Sequence, residues 1–223
     1  MSISKWNMII DVARCENCNN CVIAAKDEYV ANEHDGYSKP LDENNSELIA
    51  IDRVVRGSTP VLDTAYLVRL CNHCDNAPCM KVGGDAVKKR KDGIVIIDPE
   101  KAKGRKDIAG SCPYGAIVWN DNLKLPQTWI FDAHLLDQGW ERPRCQQSCP
   151  TGVFEAVKIS VRKGEEIVGS AISDAYGEFK VDKIPANSGD YQVFIEHEDF
   201  HPLIVDVTVS QSEYIGAKEM QAK

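Results

Sequence analysis

Two different patterns of hydrophobic and polar positions divide this chain. From Ala156 onward apolar and polar residues alternate at period two, in VKISVRK, EEIVGSAIS, GEFKV, YQVFIEHE and LIVDVTVS. That alternation predicts half-buried strands at 157–163, 165–173, 177–181, 191–198 and 203–210. Turn signals separate them at Lys163-Gly164, Asp174 to Gly177, Pro185 to Asp190 and His201-Pro202. Several short strands at this spacing predict a small antiparallel sandwich. Near the start, Trp6 to Val12 reads as one further strand that runs straight into a cysteine-rich segment. The change of pattern predicts two domains, 1–155 and 156–223, and an α+β fold class.

Composition sharpens that division. The chain has 223 residues, enough to bury a core unaided, with 43% apolar and 27% charged residues. It carries 26 basic and 34 acidic residues for a net charge of -8, with 7% aromatics, which argues against a nucleic-acid partner. Up to residue 155 the net charge is -3, and from 156 onward it is -5, so the acidity is concentrated in the strand-rich part. No apolar run approaches the roughly 18 residues that span a bilayer, so no membrane insertion is expected. The opening MSISKWNMII lacks a basic region followed by an apolar stretch, so the expected location is cytoplasmic. A chain without a signal can still be exported on a partner that has one.

The nine cysteines all fall at or before position 149. A cytoplasmic chain does not normally hold disulfides, so they call for another explanation. Cys15-x2-Cys18-x2-Cys21 forms one triplet and Cys71-x2-Cys74-x4-Cys79 a second. Cys112 and Cys149 are each followed by proline, and Cys145 stands alone. The bacterial ferredoxin run is C-x2-C-x2-C-x3-C-P, in which three thiolates cap one cubane and the fourth reaches across to another. Measured against that run, the fourth positions after the two triplets are Ala25 and Gly83. The triplet expected before Cys112 falls on Ala102, Arg105 and Ile108. Before Cys149 only Cys145 remains.

On these segments (IDVARCENCNNC, CNHCDNAPC, DGIVIIDPEKAKGRK, CPYGAIVWN and AHLLDQGWERPRC) the front part resembles the iron–sulfur subunits of the dimethyl-sulfoxide-reductase-type molybdopterin oxidoreductases. Within that family it is most similar to the small subunits of transhydroxylases of polyhydroxylated aromatics, which also carry a β-rich C-terminal domain. The resemblance implies a double ferredoxin-like domain whose first and fourth motifs, and second and third motifs, exchange their last ligands. One [4Fe-4S] cluster would then use Cys15, Cys18, Cys21 and Cys149, and a second Cys71, Cys74, Cys79 and Cys112. A third would need Gly83, Ala102, Arg105 and Ile108 and cannot form. A fourth would need Ala25, Trp129, Asp132 and Cys145, of which only Cys145 is a thiol. Two clusters are therefore expected, with Cys145 left over as a small buried hydrophobe. In the back part, SDAYGEFKVDKIPANSGDYQVFIEHEDF resembles the prealbumin-like or carboxypeptidase-regulatory-like fold, with Asp174 and Gly177 in a tight turn and Phe179 entering the core.

Other chemistries fit less well. Closed zinc sites hold ligands as two pairs rather than as triplets with a Cys-Pro partner. A thioredoxin-type site would need one C-x2-C between a strand and a helix. His73 lies between two candidate ligands and is expected to point away. His34, His134, His197 and His201 show no metal-ligand spacing. The eight basic residues between Lys88 and Lys106 read either as a solvated face or as a docking surface for an acidic partner. No phosphate loop, nucleophile elbow, triad or carboxylate pair is present, so no catalytic residue is expected.

The resemblance implies a non-catalytic subunit that accompanies a large chain, which holds a molybdenum bis-pterin cofactor and transfers hydroxyl groups on polyhydroxylated aromatics. The alternative is an electron-transfer subunit of a related molybdenum reductase, aromatic dehydroxylase or resorcinol-type ring hydroxylase. The long insert from Val22 to Leu70 is expected to be partner-binding surface.

Overall fold

The computed structural model describes residues 5–44, 47–169, 172–173, 179–180, 184–196, 201–210 and 221. It is a mixed helix and strand protein with small, open sheets. The chain forms two compact units, Asp11–Phe154 and one that combines Met1–Ile10 with Glu155–Lys223.

The chain opens with β1 (Lys5–Ile10), which belongs to the second unit. Strand expected through Val12 stops two residues earlier, because Asp11 caps a 3-10 turn over Val12–Arg14 by accepting the Ala13 amide at 3.1 Å. In the cysteine-rich unit α1 (Asn20–Tyr29) follows, burying Cys21, Ala24, Ala25 and Tyr29 on one face. The hairpin of β2 (Ala50–Ser58) and β3 (Val61–Arg69) forms the last part of the long insert. Next comes α2 (Pro78–Gly83), whose first residue, a proline, has its φ pre-set for a helix start. Short hairpins β4 (Val87–Lys89) with β5 (Val95–Ile97) and β6 (Ile117–Asn120) with β7 (Leu125–Thr128) flank α3 (Lys106–Gly110). Two short helices, α4 (Ala133–Leu136) and α5 (Arg144–Ser148), complete the unit, and α5 packs on α1. One core joins Ala86, Val87, Val95, Ile97, Ala102, Ile108 and Ile117, with Cys79 and Cys112 packed against it.

The other unit is built on β8 (Phe154–Lys163), with β9 (Glu166–Gly169) antiparallel to it after a tight turn. β10 (Ile172–Ser173) and β11 (Phe179–Lys180) make a separate two-stranded sheet. β12 (Gly189–Glu196) and β13 (Leu203–Val209) extend the main sheet in the order β1-β8-β12-β13. The period-two alternation is obeyed: Val157, Ile159, Val161, Tyr191 and Val193 are buried together, with Ile9, Ile195, Val205 and Val207 against them. The strand expected at 165–173 is divided into β9 and β10. The expected turn from Asp174 to Gly177, and the side chain of Phe179, lie outside the described residues. β1, grouped by sequence with the cysteines, pairs instead with β8, because its apolar face fits the same sheet core.

Candidate metal centre

The first triplet sits on the loop that leads into α1. Two asparagines, Asn17 (φ 57°) and Asn19 (φ 61°), turn that loop through the left-handed region, which asparagine tolerates better than most residues. The Asn19 side chain donates to the Asn17 carbonyl at 2.9 Å and holds the turn. Cys21 lies in the first turn of α1, and Cys149 directly follows α5, the helix packed on α1. Burial pushes the Cys21 thiol up to about 11, and the charges of Cys149, Cys18 and Cys15 add to the rise. All four sulfurs therefore lie within electrostatic reach. Cys149 differs from Cys21. Burial alone would raise it, but the Val153 amide, which donates to its sulfur at 3.3 Å, and the Thr151 hydroxyl together bring it below the ordinary thiol value.

The second triplet follows β3. Cys79 stands in α2 and Cys112 just after α3. Burial pushes Cys79 up to about 11, reinforced by Cys71, Cys112 and Cys74. Lys89 braces this loop, donating to the carbonyls of His73 and Cys74 at 3.0 Å each and to Asp75 at 2.6 Å. His73 does not point away as expected: its Nδ1 accepts the Val95 amide at 3.0 Å and lies 3.7 Å from Cys71 Sγ. Burial, with Lys89 nearby, lowers its pKa to about 3, so the ring is neutral. None of the nine cysteines is in a disulfide. Four thiols in each of two groups are donors of the kind that a [4Fe-4S] cluster takes, so the residues present fit such a group.

The positions expected to lack a third and a fourth ligand set are filled in different ways. At the third, Ala102 and Ile108 are fully buried in the apolar core and Gly83 packs so closely that a Cβ there would lie 2.3 Å from Val87 Cγ2. Arg105 turns outward, forks onto Asp107 and donates to the Val82 carbonyl at 2.8 Å. At the fourth, the two positions with C-x2-C spacing hold Trp129 and Asp132. Side chains at that spacing meet, and Trp129 Nε1–H donates to Asp132 Oδ1 at 3.0 Å. The Tyr29 hydroxyl donates to the same oxygen at 2.5 Å and the Arg144 amide to the other at 2.7 Å. Burial holds the Asp132 carboxyl above the ordinary range despite these donors. Cys145, 1% exposed, lies within electrostatic reach of both Asp132 and Cys21. Burial drives its thiol well up, so it is a neutral packing group.

One cluster of side chains was not foreseen. His34 and His134, expected to be unrelated, stack at 3.8 Å between ring centroids beside Glu28. A hundred residues separate the two in sequence, so no spacing rule could have joined them. Among the described residues, no helix is long and apolar enough to cross a membrane.

Residues 62–159 match the family described as the 4Fe-4S dicluster domain. The small subunit of pyrogallol hydroxytransferase from Pelobacter acidigallici is 42% identical over 161 residues, 71% of this chain and 58% of that one. One of the subunits of tetrathionate reductase from Salmonella typhimurium is 31% identical over 149 residues, 66% of this chain and 56% of that one. The iron–sulfur subunit of arsenate respiratory reductase from Shewanella sp. is 32% identical over 140 residues, 62% of this chain and 55% of that one. The chain thus spans less than two thirds of the length of these relatives.

Proposed function

From a chain that carries a 4Fe-4S dicluster domain and is a relative of the iron–sulfur subunits of dimethyl-sulfoxide-reductase-type enzymes, we propose a two-cluster subunit of a molybdenum hydroxytransferase. One cluster is held by Cys15, Cys18, Cys21 and Cys149, the other by Cys71, Cys74, Cys79 and Cys112. A large partner chain carries the molybdenum bis-pterin and the chemistry, on polyhydroxylated aromatics of the pyrogallol and phloroglucinol type. What supports the reading is a contrast: three thiols lie within electrostatic reach of Cys21 and three of Cys79, while the positions expected for the other two ligand sets are filled by packed or hydrogen-bonded side chains. In this reading 1–155 is a double ferredoxin-like part, with β1 lent to the neighbouring sheet, and 156–223 is a sandwich of the prealbumin-like class. The compartment proposed is the cytoplasm.

Iron and sulfide analysis of the purified complex should give about eight irons per chain, as two cubanes require. About twelve irons, or zinc bound through sulfur, would overturn the ligand assignment.

A second reading makes the chain an electron conduit for a related molybdenum reductase, dehydroxylase or ring hydroxylase, and the retention of two whole ligand sets favours it. Transhydroxylation moves a hydroxyl group with no net electrons, whereas reduction needs a donor. Steady-state turnover of the complex with no added donor or acceptor supports the hydroxytransferase. Strict dependence on a donor supports the conduit.

A further inference from the structure

The buried cluster of Glu28, His34 and His134 has no part in the cysteine sites, yet its chemistry is that of a metal site. Glu28 comes from the last turn of α1, His34 from the loop after it and His134 from α4. Their side chains are 16%, 18% and 4% exposed. Glu28 Oε1 lies 2.7 Å from His134 Nε2 and 3.7 Å from His34 Nε2, and the three candidate donor atoms all fall within 4.8 Å of one another. A tetrahedral cation with bonds of 2.0–2.1 Å places its ligand atoms about 3.3 Å apart. The two measured separations bracket that value, and the rings, now stacked with 24° between their planes, would swing apart for both to face one ion.

The surroundings suit a bound ion as well as the donors do. The second oxygen of Glu28 faces Arg144, whose Nε is 3.5 Å away, so the carboxylate is steered from behind while Oε1 is left for the imidazoles. Tyr29 meets both histidine rings edge-on at 5.6 Å, and Tyr37 lies 6.0 Å from His134. These rings pack beside the site. The His134 Nδ1 atom is buried and has no hydrogen-bond partner among the described residues. His34 Nε2 also lies 3.1 Å from the Glu28 main-chain carbonyl, a contact that a bound cation would replace.

We propose that Glu28, His34 and His134 bind a divalent cation of the zinc class. Two imidazole nitrogens and one carboxylate oxygen are the protein ligands of an open zinc site, with a water in the fourth position. Imidazole donors argue against calcium and magnesium, which take oxygen ligands. Binding at Nε2 displaces the hydrogen that each ring now directs at Glu28, and the neutral ring carries its hydrogen on Nδ1 instead. The site adjoins the rebuilt fourth ligand set, since Tyr29 follows Glu28 and Asp132 lies two residues before His134.

The test uses the purified complex with its clusters in place, dialysed against micromolar free zinc and then desalted. About one zinc per chain is expected, and absorption at the zinc edge should show nitrogen and oxygen neighbours at about 2.0–2.1 Å without sulfur at about 2.3 Å. Glu28→Gln and His34→Gln should each weaken zinc binding by about ten-fold or more, as loss of a ligand does at least what loss of its support does. Iron content should stay at the wild-type value in both, which shows that the fold survives. Absence of retained zinc, zinc with sulfur neighbours alone, or unchanged zinc in the E28Q/H34Q double variant would overturn the proposal. The zinc shell and the iron count are separate readouts, so this site and the cluster assignment can fail independently.

Discussion

Asp132 gathers three donors of the cysteine-rich unit. Its carboxylate accepts from the Tyr29 hydroxyl, the Trp129 indole and the Arg144 amide, all away from solvent. Removing an acceptor leaves its donors buried and unpaired, at about 1–3 kcal/mol each. Asp132→Ala should therefore lower stability by roughly 3–5 kcal/mol, in line with the loss of one partner from a buried polar group. Asp132→Asn keeps the shape and one accepting oxygen, so its loss should be clearly smaller. Thermal unfolding of the two variants measures this. Equal losses would mean that volume, rather than hydrogen bonding, is what Asp132 supplies. The network also explains why Tyr29 is a poor acid: burial raises its hydroxyl pKa well above the ordinary value, and the neighbouring carboxylate adds to the rise.

At the scale of elements, Gly83, Ala102 and Ile108, expected where a third ligand set would stand, serve as packing positions of the core. α2 ends at Gly83, which is helical at φ -73°, so alanine there meets no backbone penalty. Its Cβ would instead press 2.3 Å from Val87 Cγ2 and 3.4 Å from Ile108 Cδ1. Overpacking of this kind costs about 1–3 kcal/mol. Gly83→Ala should lower the midpoint of thermal unfolding accordingly, and a rise would show that β4 yields freely. For the same reason Gly83→Cys, placed with cysteines at 102, 105 and 108, should not restore a cluster. Much of this was legible in sequence. The two triplets and the Cys-Pro pairs are explicit in the sequence, and counting along the ferredoxin run reaches Ala25, Gly83, Ala102, Arg105 and Ile108, whereas Trp129, Asp132 and the grouping of the thiols came only with the family resemblance. What the residue types could not reveal was how each vacancy is filled. Tyr29 and Asp132 are 103 residues apart, and only the packing of α5 against α1 brings their surroundings together. His34 and His134 escaped for the same reason, since histidine spacing carries information only within one element.

For the whole molecule, the unforeseen feature is that the first strand crosses the expected domain division. Period-two alternation says that a face is buried but does not name the sheet that buries it. β1 joins β8, and Ile9 packs against the core of Val157, Ile159 and Val161, whereas Asp11 onward belongs to the cysteine-rich unit. A charge placed on that strand face should therefore act on the strand-rich unit first. Ile9→Lys gives up apolar burial and sets an ammonium against the sheet core, a loss of about 2 kcal/mol. Native-state hydrogen exchange separates the two units, because locally opened segments lose protection before the rest. Amides of β8 and β12 should exchange faster in the variant, with those around Cys71 to Cys79 unchanged. Faster exchange confined to the cysteine loops would mean that β1 serves the ferredoxin-like part, as its place in the sequence suggests. Equal acceleration in both units would make the chain one cooperative body, in which cluster loading and sheet stability rise and fall together.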